Sequence, residues 1–271
     1  MKSLSFRRLI FVSVSAGSIP LSSRWLVDSA KSIDLTPIKL VYLIYCENTS
    51  SKGTGFSAQD GVIVTAKHVV EGEDPANITL VNYKGDKLGI ERVSRDPSRD
   101  LAILYPKTHL KSGLKLNNKN VAPGTRVWTW GYPLGYNGPA PLLSVGWLSG
   151  YVERGQDGET PVKHFVVNGA FNPGNSGGPL FADHHQGVVG VVVTKHVPIP
   201  LDIQSAMQAL ANNRSGLVFT ALDPQTNKQF NFAESQLVAA ILEHYKNLAQ
   251  VMIGEAVTSE EVLGFIGEGP Q

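Results

Sequence analysis

The chain has 271 residues, a formal charge of +1 and 42% hydrophobic residues, which suits one β-rich domain of about 200–250 residues with short extensions. The near-neutral charge, with no basic stripe interleaved with aromatics, gives nucleic acid no electrostatic footprint to bind. Cys46 is the only cysteine, which excludes an intrachain disulfide and a cysteine metal site, so stability must come from packing.

Residues 1–30 read differently from the remainder. Lys2, Arg7 and Arg8 precede the apolar run Leu9 to Val14, followed by small residues and Pro20. This predicts a leader of the export type, close to a twin-arginine pattern, and a periplasmic or extracellular destination. The segment is too short and too polar for a transmembrane helix, so no stable membrane insertion is expected.

From about Pro37 the pattern becomes short β-type runs separated by Gly, Asn and Asp. Strands are predicted at Val41–Cys46, Gly53–Ser57, Gly61–Thr65, Ile78–Tyr83, Lys87–Ser94 and Leu101–Tyr105, giving one six-stranded barrel over about 37–115. A second series, Arg126–Trp130, Ser144–Val152, His164–Asn168, Pro179–Phe181, Gly187–Thr194 and Leu217–Ala221, predicts a second barrel over about 122–225. The fold class is therefore all-β, with two six-stranded antiparallel barrels and a C-terminal helix. Between Pro198 and Gly216, Ile203, Met207, Leu210 and Ala211 recur at helical spacing and predict an inserted helix, either a cover for the cleft or a surface decoration. The apolar face of Phe232, Leu237, Ala240, Ile241, Tyr245, Leu248 and Met252 predicts a terminal helix over about 231–252 that packs on the second barrel. Residues 253–271 read as a tail with a short capped helix starting near Thr258 and Glu261.

The most informative stretch is Phe171 to Phe181, FNPGNSGGPLF. Ser176 stands among Gly174, Gly177 and Gly178, with Pro173 and Pro179 fixing φ on either side, which is the sharp turn that a nucleophile requires. The amides of Gly174 and Ser176 are placed to converge on a developing oxyanion. Two earlier fragments supply partners: TAKHVV carries His68 and RDLAIL carries Asp100. In that order, TAKHVV, RDLAIL and GNSGGPL resemble the signature segments of chymotrypsin-fold serine peptidases, and most of all the high-temperature-requirement branch. The segment Gly131-Tyr132-Pro133-Leu134-Gly135 resembles the family too.

The resemblance implies a peptidase domain over 37–250, with His68 as general base, Asp100 orienting it and Ser176 as nucleophile. It implies protein or peptide substrates and no cofactor. Asp96 competes with Asp100, but it sits in a turn-like DPS stretch whereas Asp100 leads into an apolar strand. The specificity pocket is expected near Ala170, Val193, Thr194 and Lys195, none of them acidic, which disfavours cleavage after Lys or Arg. Asn175 stands where the digestive branch has an aspartate, so a liberated α-ammonium would find no counter-charge there. No PDZ-sized segment follows the second barrel. His184-His185 are adjacent, which rarely converges on one ion, and no metal site is expected. An idle, peptide-binding relative is the alternative reading, although none of the expected catalytic residues is missing. Oligomeric state is left open, and the sequence is compatible with an oligomer.

Overall fold

The computed structural model describes residues 33–155, 160–195, 201–222, 229–248 and 253–268; the leader expected over 1–30 lies outside them. The chain divides into Met1–Leu35 and Thr36–Gln271, and all the strands and helices below belong to the second unit.

The first barrel is built from consecutive strands β1 (Val41–Cys46), β2 (Lys52–Ser57), β3 (Ile63–Ala66), β4 (Ile78–Val81), β5 (Lys87–Asp96) and β6 (Leu101–Pro106). They close in the order β1-β2-β3-β6-β5-β4 with every neighbour antiparallel. Ile44, Phe56, Ile63, Leu80, Ile90 and Leu104 are fully buried, each worth about 1.5–3 kcal/mol relative to exposure.

The second barrel uses β7 (Arg126–Gly131), β8 (Leu142–Arg154), β9 (Val162–Gly169), β10 (Pro179–Ala182) and β11 (Gly190–Lys195). The chain then leaves it to form α1 (Leu201–Asn212), the hairpin β12 (Val218–Leu222) with β13 (Gln229–Ala233), and α2 (Glu234–Leu248). It returns as β14 (Ile253–Thr258) and ends in α3 (Ser259–Gly267). The barrel closes as β10-β11-β14-β9-β8-β7 over a core that includes Val127, Leu148, Phe165, Leu180 and Ala256.

Two expectations are corrected here. The sixth strand of barrel 2 is β14, not Leu217–Ala221, so the barrel extends beyond 225 and residues 253–258 are not tail. The run from Leu217 belongs to the separate β12–β13 sheet, whose first strand is exposed along its whole length. The helix expected over 231–252 begins only at Glu234, because Gln229–Ala233 pairs as a strand. That helix packs on α1, while α3 is the terminal helix and packs on β11 and β14. The physical reason lies in β14 itself: Gly254 and Glu255 interrupt its apolar pattern, and the buried Glu255 is met by Arg154 and His164 from β8 and β9. Among the described residues no helix is long and apolar enough to cross a membrane.

Candidate active site

His68 and Asp100 are delivered by two strands that lie side by side. β3 pairs with β6 so that Ala66 faces Leu101, and each strand carries its functional residue just beyond that pair, His68 in the 3₁₀ turn Lys67–Val69 and Asp100 immediately before β6. Lys67 N donates to Asp100 O at 2.9 Å. Asp100 Oδ1 accepts from His68 N at 3.0 Å and Oδ2 lies 2.7 Å from His68 Nδ1. A carboxylate can only accept, so Nδ1 is the donor of this bond, and in the neutral imidazole Nε2 is the nitrogen that carries the free lone pair. Asp100 has φ of +52°, a left-handed conformation that Asp tolerates better than most side chains but still at a cost.

Ser176 sits in two linked turns. Asn175 N donates to Asn172 O at 3.0 Å and Gly178 N to Asn175 O at 2.9 Å. The third residue of each turn is glycine at positive φ, Gly174 at +95° and Gly177 at +86°, as a turn of this kind demands. A Cβ on Gly177 would collide with Thr54 O and Thr65 Oγ1, so this loop lies against the end of β3 that leads to His68. Ser176 Oγ donates to Val193 O at 3.4 Å, a long bond. Among the described residues it makes no hydrogen bond to His68.

The backbone of this loop is fixed peptide by peptide. In a trans peptide the N–H and the C=O point in opposite directions, so holding one aims the other. Leu134 N bonds Pro173 O at 2.7 Å, which turns Gly174 N the other way, and the Gly178 bond to Asn175 O does the same for Ser176 N. Among the described residues, neither Gly174 N nor Ser176 N has an acceptor. Two free amides on consecutive pinned turns are what an oxyanion site needs.

Sequence reasoning missed the residue that joins the halves of the site. Thr54, on β2 and fully buried, donates from Oγ1 to Gly174 O at 2.6 Å and accepts from Tyr132 N at 3.0 Å. Its own amide donates to Ser176 O at 2.8 Å. Barrel 1 thereby grips the Ser176 loop of barrel 2. The signal was present in Gly53-Thr54-Gly55, since two glycines inside a strand mark close backbone approach.

Of the expected pocket residues, Val193 is buried on β11 and Ala170 is half-buried in the loop after β9. Thr194 and Lys195 lie on β11 opposite Glu255 and Gly254; their side chains are outside the described part. The missed strand β14 contributes Gly254, where a Cβ would come within 2.5 Å of the Phe171 ring. Phe171 is buried and follows Ala170 directly. His184, at φ +64°, and His185 occupy the turn after β10.

A double antiparallel barrel with a His–Asp pair from one half and a glycine-framed serine from the other defines a class of hydrolase scaffold. The model of the family described as "Trypsin-like peptidase domain" matches residues 53–191, just over half of the chain, and the chain belongs to that family. Two proteins named "Probable periplasmic serine endoprotease DegP-like", from Chlamydia pneumoniae and Brucella suis biovar 1, are each 34% identical to it over 143 and 152 residues. Those alignments cover 52% and 54% of this chain but only 28% of each relative, so the chain spans little more than a quarter of their length. The active form of the Rv3671c protease from M. tuberculosis shares its fold with a TM-score of 0.57 at 20% identity, over 100% of this chain and 96% of that one. An HtrA-type protease, AlgW, solved with a tripeptide, matches at a TM-score of 0.51 and 22% identity, covering 69% and 67%.

Proposed function

We propose that the protein is a serine endopeptidase that cuts protein chains through an acyl-enzyme. The observation that carries this reading is the pair of unpartnered amides, Gly174 N and Ser176 N, set beside a serine and across the barrel interface from a bonded His68–Asp100 pair. Ser176 Oγ leaves its weak bond to Val193 O and attacks the scissile carbonyl carbon, passing its proton to His68 Nε2. Asp100 holds the resulting imidazolium through Nδ1. The carbonyl oxygen, now an anion, accepts from the two amides, a contribution of about 10²–10³ in rate per donor in comparable sites. Collapse expels the amine with the proton from His68, and water repeats the sequence to release the acid.

Ser176→Ala should abolish both hydrolysis of an unfolded protein substrate and labelling by a fluorophosphonate, a loss of about 10⁴–10⁶ in kcat. An alanine variant that still cleaves would end the serine mechanism. A wild-type protein that binds peptides without cleaving or labelling would favour the idle, peptide-binding reading.

For the substrate, small or medium apolar residues before the cut fit best, because the described walls, Val193 and the Phe171–Gly254 packing, are apolar, and the buried carboxylate beside them, Glu255, is already paired with Arg154 and His164. Digestion of a peptide library checks this, and cleavage chiefly after Lys or Arg would contradict it. The periplasmic description of the relatives and the Arg7-Arg8 leader together support export.

A further inference from the structure

We propose that Arg99 is a positioning residue for Asp100, through which the terminal helix α3 controls the His68–Asp100 pair. This rests on the peptidase reading above. Arg99 immediately precedes Asp100, whose left-handed φ must be held by its surroundings. On the C-terminal side β6 and its two neighbours hold it. On the N-terminal side the β5–β6 turn does so, and that turn is organised by one guanidinium.

Arg99 Nη1 donates to Asp96 Oδ2 at 2.5 Å, and Nε donates to Glu261 Oε2 at 3.2 Å. Nη1 and Nη2 also fork onto Glu268, at 3.1 and 2.8 Å. Asp96 in turn accepts from Ser98 N and Arg99 N through Oδ1, at 2.9 and 3.0 Å, so the same carboxylate shapes the turn and holds the cation. Glu261 Oε1 accepts from Lys163 N at 3.1 Å, which ties this cluster to β9 of the second barrel.

Three carboxylates converging on one cation repel each other once it is removed. Moreover, Glu268 sits at the C-cap of α3, the end where the helix dipole disfavours an anion. Its place is explained by the bidentate bond, since a forked guanidinium–carboxylate pair fixes orientation as well as charge. The Arg99 and Glu261 side chains are each 20% exposed and Asp96 only 8%, so those two bonds are better shielded than an ordinary surface pair, while the fork onto Glu268 lies nearer solvent. The turn before Asp100 is therefore locked to a helix near the other end of the sequence.

The test compares the full chain with Arg99→Gln, Arg99→Lys and the Glu261→Gln/Glu268→Gln double variant. Two readouts are taken: kcat and KM on a peptide substrate, and the downfield ¹H NMR resonance of the His68 Nδ1 proton bonded to Asp100. Arg99→Gln should lower kcat roughly 10- to 100-fold, the scale of a displaced catalytic group, with KM unchanged and the resonance broadened or lost. Arg99→Lys should recover part of kcat, since a point charge meets Asp96 but cannot fork onto Glu268. The double variant should lose kcat in the same sense, and it decides the matter if Arg99→Gln does not fold. Wild-type kcat and an intact resonance in the double variant, or a lower kcat with the resonance unchanged, would overturn the proposal even if thermal stability fell. The resonance reports the His68–Asp100 bond whether or not Ser176 hydrolyses anything, so failure of the peptidase reading is seen separately.

Discussion

The two barrels have the same strand count and the same antiparallel closure, yet they are assembled differently. Barrel 1 closes from consecutive strands and presents His68 and Asp100 at the ends of two hydrogen-bonded neighbours, β3 and β6. Barrel 2 is interrupted between β11 and β14 by two helices and a hairpin, and it presents Ser176 on turns rather than at a strand end. His68 and Asp100 thus inherit the rigidity of a sheet. Ser176 and the amides of Gly174 and Ser176 depend on bonds borrowed from elsewhere, from Thr54 of the first barrel and Leu134 of a neighbouring loop.

Thr54 is where the second barrel leans most heavily on the first. Thr54→Val keeps the shape but leaves Gly174 O and Tyr132 N buried without partners, at about 1–3 kcal/mol for each unsatisfied group. The fluorophosphonate labelling rate should fall at least about tenfold, the scale expected when an oxyanion donor is misaligned, whereas Thr54→Ser should keep most of it. Equal labelling of the valine variant and the wild type would show that the barrels align without this clamp.

A smaller effect separates the barrels by pH. His164, on β9, is buried, and burial holds its imidazole below the ordinary range, outweighing the attraction of Glu255; Arg154 pushes the same way as burial. A histidine whose folded value is depressed makes the unfolded chain the better proton acceptor. Stability is therefore intact above the unfolded value of about 6.5 and is lost as pH falls from there toward the lower folded value. Three of the four tryptophans, Trp128, Trp130 and Trp147, lie on β7 and β8, while Cys46 lies on β1. Burial, with Glu73 nearby, pushes the Cys46 thiol up to about 11, so it should stay unreactive while barrel 1 is closed. On mild acidification, tryptophan fluorescence should change before Cys46 becomes reactive to a thiol reagent, and His164→Gln should narrow that gap. Simultaneous changes in both proteins would count against the assignment.

The smallest effect concerns α3. Gly264 is an exposed interior residue of that helix, and a Cβ there would meet only Arg99 Nη2, at an ordinary 3.7 Å. Gly264→Ala should raise stability by about 0.5–1 kcal/mol in a urea titration, without loss of activity. A drop in kcat would mean that the guanidinium needs the space.

Barrel 1 was legible because its runs are short, apolar and bounded by Gly, Asn or Asp, and its strands pair with neighbours close in sequence. The candidate His68, Asp100 and Ser176 were legible for a related reason: each sits in a compact local pattern. What could not be read depends on distant partners. Glu255 makes β14 look like a tail until Arg154, 101 positions away, is seen beside it. Leu217 to Ala221 looks like a core strand although its residues face solvent. The role of Thr54 exists only through Gly174, 120 positions on. The flanking Gly53 and Gly55 mark a close backbone approach, but nothing local names Gly174 as the partner of the hydroxyl.

The interruption of barrel 2 also sets an order of events during synthesis. All the strands of barrel 1 are available once residue 106 has emerged, and their contacts are short in sequence, so that half can close early. Barrel 2 lacks the strand between β11 and β9 until residues 253–258 follow. A growing chain can therefore carry a paired His68 and Asp100 for some time while the walls behind Ser176 are still unbuilt. The support behind Ser176 is therefore complete only when β14 has joined the barrel, long after the His68–Asp100 half can close.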